Sequence, residues 1–403
     1  MNSGSILVVN AGSSSLKFSL FRMGAAEHLQ LAARGQIDGV GTRPRMTARD
    51  GAGRPLAGRE FTVTEVRDLK DAFAIASDWF GSHFKDEPLL AVGHRVVHGG
   101  ATYSKPVLID DSVFAALEHF IPLAPLHQPH NLAVIHAVRE SRPQIPQVAC
   151  FDTAFHRSHP QLADLYAVPW EYYEAGVRRY GFHGLSYEYV AAALCKVAPE
   201  IANGRVVVAH LGSGASLCAL RAGKSVDSTM GFSPLDGIPM STRTGAIDPG
   251  VLLYLINQRG MSHTALEELL YKESGLLGIS GVSNDMRVLL ESSEPRAQLA
   301  VDYFVYRVAK EIGALVAVLG GVDGLVFTAG IGENSAEIRA RIVKACGWLG
   351  MTLDQDANQR GGPCITVASS TVSAWVVPTN EELMIARHTR ALVTDAQQQS
   401  VVN

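Results

Sequence analysis

Paired cysteines are missing from this chain. Its five cysteines, Cys150, Cys195, Cys218, Cys346 and Cys364, are odd in number and none belongs to a CxxC pair. That excludes a small disulfide-stapled module, leaves no zinc or redox motif, and predicts a reducing cytoplasm. A surplus of positive charge is missing as well. Lys+Arg 35 against Asp+Glu 39 leave a net charge of −4, so no basic field is present to hold nucleic acid or an anionic membrane. The opening MNSGSILVVNAG has no basic leader and only a short apolar run before Asn10, so it reads as a buried strand and not as a secretory signal. The longest apolar tract, Ile312 to Ile331, is broken by Asp323 and by Gly313, Gly320, Gly321 and Gly324. It predicts a helix end, a turn and a strand, not a membrane span. What is present is a chain of 403 residues, 47% hydrophobic and 18% charged, too apolar for disorder. At roughly 150 residues per domain it has room for two or three domains.

The length is close to twice 200, and one segment repeats at that offset. ILVVNAGSSSLKFSL (6–20) lies over VVVAHLGSGASLCAL (206–220), with Val8/Val208, Gly12/Gly212, Ser13/Ser213 and Leu20/Leu220 identical. Each copy predicts a β-hairpin whose Gly/Ser turn exposes backbone N–H groups suited to phosphate oxygens; an ordinary tight turn has the same pattern. If the repeat reflects duplicated domains, the loops would grip one polyphosphate from opposite sides of a cleft. Elsewhere short β-rich runs alternate with helical stretches, which predicts an α/β architecture. VVVAH (206–210) and GLVFTAG (324–330) read as strands. From Pro295, the residues Phe304, Val308, Ile312, Leu315 and Leu319 recur at helical spacing, a core helix with Ser293 as its cap.

Several constellations suit chemistry. LVFTAGIGENSAEIRARIVKACGWLG predicts a strand, a Gly-rich loop from Gly330 through Asn334, then a helix to about Cys346, whose N–H groups would meet a ligand. Ser335 stands where a dinucleotide fingerprint needs glycine. Gly223-Lys224-Ser225 mimics the end of a P-loop, but Cys218 occupies the required first glycine, so that motif is rejected. Arg95 in GHRVVHGG and Arg243 in GIPMSTRTGAIDPG lie among glycines. Their forked donors suit carboxylate or phosphoryl oxygens, against the alternative of solvated surface arginines. His94/His98, His127/His130 and His156/His159 raise a metal reading. The strand-like residues between His94 and His98 and the lack of the HExxH glutamate argue against zinc. His183 in RYGFHGLS falls in a tight turn before a helix capped by Ser186, either as a turn or core hydrogen bond or as a cationic or donor group over a charged transition state. Asp152 closes a strand, as a functional carboxylate or a turn cap. Thr379-Asn-Glu-Glu382 matches a capping box, which leaves Glu381 free for a metal ion.

Taken in order, NAGSSSLKFSLF, GHRVVHGG, FDTAFH, YGFHG, HLGSGAS, FTAGIGENS and PTNEEL resemble the acetate kinase family from about Ile6 to His388. The resemblance implies the architecture of actin, sugar kinases and Hsp70-type ATPases: two duplicated actin-like (ribonuclease H-like) α/β domains flanking a nucleotide cleft. It implies a first domain at 1–150 joined by a C-terminal helix at 381–393, a nucleotide-binding and dimerisation domain at 151–380, and a frayed tail at 394–403. The implied reaction is reversible in-line transfer of the ATP γ-phosphoryl group to acetate, giving acetyl phosphate and ADP, with magnesium or manganese. Carried over by motif, Asn10 and Glu381 would serve the metal and Lys17 the nucleotide phosphates. Arg95 would hold the carboxylate or the transferring group, and His183 and Arg243 would stabilise the transition state. The family's acid/base aspartate falls at Asp152; acetate has no proton to lose near pH 7, so a role in positioning the metal or its waters is expected.

By the same resemblance ATP would contact His210, Leu211, Gly212, Ser213, Gly214, Asp285, Met286, Arg287, Gly330, Ile331, Gly332, Glu333 and Asn334. Val97, Leu126, Phe182 and Pro234 would line the pocket for the acyl methyl. A homodimer is implied. The chain departs from the family pattern at Ser213, which replaces the asparagine of HLGNGAS, and at Ala246 in TGAIDP, although Asp248 remains. Two other readings stand beside it. One is a propionate or butyrate kinase with the same machinery; the other is an actin- or Hsp70-like ATPase switch, which needs no paired arginines.

Overall fold

Apolar residues at the start of the chain build the first hairpin, β1 (Ser5–Ala11) against β2 (Ser15–Met23). The computed structural model describes residues 4–24 and 28–402. The first three residues lie outside that range, and the expected strand begins at Ser5. The chain divides into two units, Met1–Ala154 with Asn380–Asn403, and Phe155–Thr379. The sequence reading draws its divisions at 150/151 and 380/381, whereas the units divide at 154/155 and 379/380.

In the first unit β3 (Leu29–Asp38), β4 (Arg45–Asp50) and β5 (Pro55–Glu60) extend the sheet beyond β2. On the other side β1 is followed by β6 (Leu89–Val96), β8 (Gln147–Phe151) and β7 (Val107–Leu108). Strands β1, β6 and β8 run parallel. Leu7, Val9, Phe18 and Val92 pack against Phe73 and Phe80 of the helix Leu69–His83 and against Val134 and Val138 of the helix Gln128–Ser141. Asp68 caps the first of these helices by accepting from Asp71 N at 2.9 Å. Because side chains alternate along a strand, Gly93 faces the opposite side from Val92. There the helix Glu381–Val402 packs so closely that a Cβ on Gly93 would lie 2.3 Å from Thr389 Oγ1. The last helix therefore belongs to the first unit. It does not stop at 393 but runs to Val402, because 394–402 holds neither glycine nor proline to end it. Asn403 lies outside the described residues.

The second unit holds β9 (Arg205–Leu211), β10 (Ala215–Arg221), β11 (Lys224–Ser228), β12 (Gly324–Thr328) and β13 (Ser373–Val376), in the order β11-β10-β9-β12-β13. Strand β10 runs antiparallel to β9 and β11, while β12 runs parallel to β9 and β13. The inner strands of the first unit, β3-β2-β1-β6-β8, have the same order and the same directions. This recurrence is the duplicated ribonuclease H-like architecture. The helix Pro295–Leu319 buries Phe304, Val308, Ile312, Leu315 and Leu319, the face that the spacing predicts. Its cap residue is Glu294 and not Ser293, and Ser292 Oγ accepts from Glu294 N at 3.2 Å. Gly223, at the head of the rejected P-loop mimic, merely turns β10 into β11.

The duplication is not in register at the 200-residue offset throughout. Ala11 pairs with Leu16, leaving 12–15 as the first loop, whereas Leu211 pairs with Ala215, leaving 212–214. The second loop is shorter by one residue. Beyond it, Leu20 pairs with Leu7 but Leu220 pairs with Val206, so their identity is not a structural match. Lys17, opposite Asn10, corresponds to Ser216, opposite His210. Among the described residues no helix is long and apolar enough to cross a membrane.

Candidate active site

In the first unit, polar side chains gather where β1, β6 and β8 end. Arg95 donates from Nε to Asp152 Oδ1 at 3.2 Å, from Nη2 to Asp152 Oδ2 in a shorter contact, and from Nη1 to Asn10 Oδ1 at 3.3 Å. Asp152 is 1% exposed and the Arg95 side chain 20%. Both aspartate oxygens are thus engaged by the guanidinium, so Asp152 orients Arg95, a role the sequence reading did not foresee. Burial pushes the Asp152 carboxyl up, and Arg95 opposes the rise. Burial also works against the Arg95 charge, but Asp152, Glu381 and Glu382 together outweigh it and hold the guanidinium charged. The Glu381 carboxyl is pushed up to about 7, first by burial and then by Asp152 and Glu382, with Arg95 and Lys17 pulling the other way.

Carboxylate and amide oxygens of this kind fit a hard divalent cation, which can take one or two carboxylates and leave the rest of its shell to phosphate and water. The expected capping box before Glu381 does not form. Asn380 Oδ1 accepts from Leu383 N at 3.0 Å, and Thr379 N donates to Glu333 Oε1 at 3.0 Å.

Two buried amides that no sequence pattern announced hold this strand end in shape. Asn131 donates from Nδ2 to Ala11 O at 2.9 Å and accepts from Val97 N at 3.0 Å. Gln128 accepts from His98 N at 3.3 Å and donates to His98 O at 3.2 Å. Val97 is buried and Leu126 half-buried in the same unit. Four of the paired histidines have structural partners: His94 Nε2 meets Gln147 Oε1 at 2.8 Å, His98 Nδ1 accepts from Gly100 N at 2.9 Å, and His156 and His159 meet Ser225 Oγ at 2.8 and 2.7 Å.

The second unit contains a cavity of about 940 Å³, within the usual range for ligand pockets. Gly212, Ser213 and Gly214 line it, with Arg243, with Asp285, Met286 and Arg287, and with Gly330, Ile331 and Asn334. The remaining expected ATP residues of this unit do not. His210 and Leu211 are buried in β9, and Gly332 packs against Phe327. Glu333 Oε1 accepts from Ala329 N at 2.8 Å as well as from Thr379 N, which makes it a brace. Lys17 lies in the first unit. Asn284, Glu291, Glu337 and Gln359 line the cavity without a motif to announce them. The expected Gly-rich loop is itself a short helix, Ala329–Asn334, entered at Ala329 with φ 64°. Ser335 breaks it and caps the next helix, Ala336–Ala345, by accepting from Ile338 N at 3.3 Å.

Beside the loop, His183 precedes the helix Gly184–Val197 at φ 58°, a left-handed conformation that costs energy for a residue with a side chain. Its ring stacks on His210 with centroids 4.3 Å apart. His183 Nδ1 lies 2.8 Å from Ser216 Oγ, which lies 2.6 Å from Tyr187 OH. Ser186 does not cap the helix by its side chain; its hydroxyl lies 2.8 Å from His210 Nδ1. A Cβ on Gly214 would stand 3.2 Å from His183 Nε2 and 3.8 Å from Arg243 Nη1, so the histidine and the arginine both face this glycine. Arg243 Nη1 also donates to Pro234 O at 3.3 Å. Phe182 is buried, and its carbonyl accepts from His156 Nε2 at 2.8 Å. Pro234 is buried too, so the four expected pocket residues divide between the units. Asp248 caps the helix Pro249–Arg259, accepting from Gly250 N at 2.7 Å.

Residues 5–387 match the Acetokinase family. The acetate kinase of Nitrobacter hamburgensis is 56% identical over 397 residues, 98% of each chain. That of Rhizobium meliloti is 54% identical over 389 residues, 96% of this chain and 98% of that one. Among solved structures, a propionate kinase from Francisella tularensis has a TM-score of 0.89 at 37% identity, covering 96% of this chain and 100% of that one. Porphyromonas gingivalis acetate kinase has a TM-score of 0.87 at 36% identity, covering 97% and 100%.

Proposed function

The chain belongs to the acetokinase family, and from that premise we propose that it transfers the γ-phosphoryl group of ATP to acetate, reversibly, giving acetyl phosphate and ADP. The observation that carries this reading is the setting of Gly214. There the loop of a nucleotide-sized cavity is faced by an arginine and a histidine nitrogen, the donors that a transferring phosphoryl group requires.

Acetate arrives ionised. A carboxylate oxygen forms the new P–O bond as the bond to the leaving ADP oxygen breaks, and no proton has to move. The residues supply position and positive charge around the equatorial oxygens. Arg95, aimed by Asp152, holds the carboxylate; Arg243 and His183 meet the charge that develops in the transition state. We assign Lys17 of the first unit to the nucleotide phosphates, and likewise the backbone donors of 212–214 in the second. We assign Val97 and Leu126 of the first unit, and Phe182 and Pro234 of the second, to the acyl methyl group. Asn10 and Glu381 would hold magnesium, or manganese in its place, which when bound neutralises phosphate charge.

The second reading, a propionate kinase, is favoured by the likeness to the Francisella protein. A single methylene alters binding by only about 1–3 kcal/mol, so the two acids compete for one pocket. We also place the protein in the cytoplasm, on the ground that none of its five cysteines, all among the described residues, is in a disulfide. We further propose a homodimer, because the helix Pro249–Arg259 buries none of its residues and exposes Val251, Leu253 and Tyr254.

Trapping the acyl phosphate as hydroxamate, with ATP, magnesium and acetate, propionate or butyrate, tests the reading. ADP formation strictly dependent on the acid, with the highest kcat/KM for acetate, is expected. Acid-independent ADP formation would instead indicate an ATPase switch, and a higher kcat/KM for propionate would transfer the assignment to that acid.

A further inference from the structure

We infer that Ser216, oriented by Tyr187, fixes the tautomer of His183, so that the imidazole is neutral and its Nε2–H faces the phosphate loop. What that N–H does rests on the acyl-phosphate reading above; the tautomer itself does not. Tyr187 and Ser216 are both fully buried. Among the described residues, Tyr187 OH has one hydrogen-bond partner, Ser216 Oγ at 2.6 Å, and Ser216 Oγ has two, Tyr187 OH and His183 Nδ1 at 2.8 Å.

A serine hydroxyl carries one hydrogen, as does a phenol, and a neutral imidazole carries one on either nitrogen. Three arrangements of these hydrogens are possible along the chain of contacts. If Nδ1–H donates to Ser216 and Ser216 donates to Tyr187, the phenol hydrogen has no acceptor. If Nδ1–H and Tyr187 both donate to Ser216, the serine hydrogen has none. If Tyr187 donates to Ser216 and Ser216 donates to a bare Nδ1, both buried hydroxyl hydrogens are used and the imidazole hydrogen is left on Nε2 at the loop. A buried donor left without an acceptor loses its hydration with nothing in return, which selects the third arrangement.

The proton of His183 then sits on Nε2. That nitrogen is the one beside Gly214, where the missing side chain leaves room for a ligand oxygen. Stacking on His210 and the left-handed backbone at His183 keep the ring in place. Protonating Nδ1 would strand a buried hydrogen, so the relay opposes a second cation beside Arg243. Positive charge comes from the arginine, and His183 supplies a directed neutral donor. Ser216 and Tyr187 are positioning residues: neither faces the cavity, and both act through His183. Ser216 holds the strand position that Lys17 holds in the first unit, so the duplicated hairpin carries a cation in one copy and a tautomer lock in the other.

The test is the long-range ¹H–¹⁵N spectrum of the histidine-labelled protein without nucleotide, with His183 assigned by its loss in His183→Asn. A protonated Nε2 with Nδ1 as hydrogen-bond acceptor is expected; a protonated Nδ1 overturns the inference whatever the activity. In kinetics, Ser216→Ala should lower kcat about 10-fold to 100-fold and leave the KM for ATP within about 2-fold. Ser216→Thr, which keeps the hydroxyl, should restore most of the rate. An unchanged kcat in Ser216→Ala, or no rescue by threonine, counts against the lock. Where Ser216→Ala does not fold, the wild-type spectrum decides. A wild type with no acetate-dependent ADP formation would strike the functional reading alone, and the spectrum would still decide the tautomer.

Discussion

Replacing Arg95 by methionine should destabilise the protein more than replacing Asp152 by asparagine, although both changes break the same ion pair. Removing one partner of a buried pair costs about 3–5 kcal/mol, because the other is left uncompensated. The two partners are not equally placed. Asp152 is 1% exposed and has both oxygens on Arg95, and Glu381 and Glu382 lie close enough to add repulsion. Arg95→Met leaves that carboxylate with nothing to oppose its burial, at about 4–5 kcal/mol. Asp152→Asn leaves a guanidinium that is 20% exposed and keeps both Asn10 Oδ1 and the attraction of Glu381 and Glu382, so about 2–3 kcal/mol is expected. In Arg95→Met/Asp152→Leu no charge remains in the pair. Apolar replacement of a whole buried pair is close to neutral, so the double variant should recover most of the about 4–5 kcal/mol lost in Arg95→Met. Urea unfolding followed by far-UV circular dichroism measures all three. Equal losses in the two single variants, or a double variant that loses their sum, would refute a mutually dependent buried pair.

Three further outcomes follow from other parts of the molecule. Burial pushes His94 and His156 down to about 4, so the folded protein keeps them neutral where the unfolded chain would take up protons. At these two histidines the unfolded state binds more protons between pH 6.5 and 4, so their contribution is full above that window and is lost as pH drops through it, about 3 kcal/mol for each histidine, while Glu381, pushed up to about 7, acts in the opposite sense and offsets part of the loss. Melting temperatures measured from pH 7 to 4 test this, and a flat profile would contradict it. Gly93→Ala should cost about 1–3 kcal/mol by driving a methyl group into Thr389 and Ile385, and Gly93→Ala/Thr389→Ala should recover part of the loss in the same urea assay. Arg243→Ala should lower kcat about 100-fold and leave the KM for ATP within about 2-fold, as befits a group that acts mainly in the transition state; steady-state kinetics with near-normal turnover would remove it from that role.

The strands and the core helix were legible in the sequence because apolar periodicity is a local property. The duplication was legible too, from β1 and β2 against β9 and β10. Its register was not: letters align at a fixed offset, whereas the pairing of Ala11 with Leu16 and of Leu211 with Ala215 is decided by the length of the turn. Arg95 and Asp152 could be singled out as residue types at strand ends. That the two make a closed pair could not be read, since they stand 57 residues apart and meet only because β6 and β8 lie side by side. Ser186 looked like a cap, and Glu333 looked like a ligand contact by resemblance. Both turned inward because His210 and the backbone of Ala329 and Thr379 offered partners that only the tertiary fold brings near. Ser216 and Tyr187 gave no signal at all: a serine in an apolar strand and a tyrosine in an amphipathic helix look like ordinary core.

The central claim is that the phosphoryl group lost by ATP is gained by a carboxylate. ³¹P NMR of the reaction with ATP, magnesium and acetate tests it most directly. The account predicts ADP and acetyl phosphate appearing in equal amounts, with no inorganic phosphate at early times. ADP accompanied by inorganic phosphate alone, with no acyl phosphate signal, would contradict it.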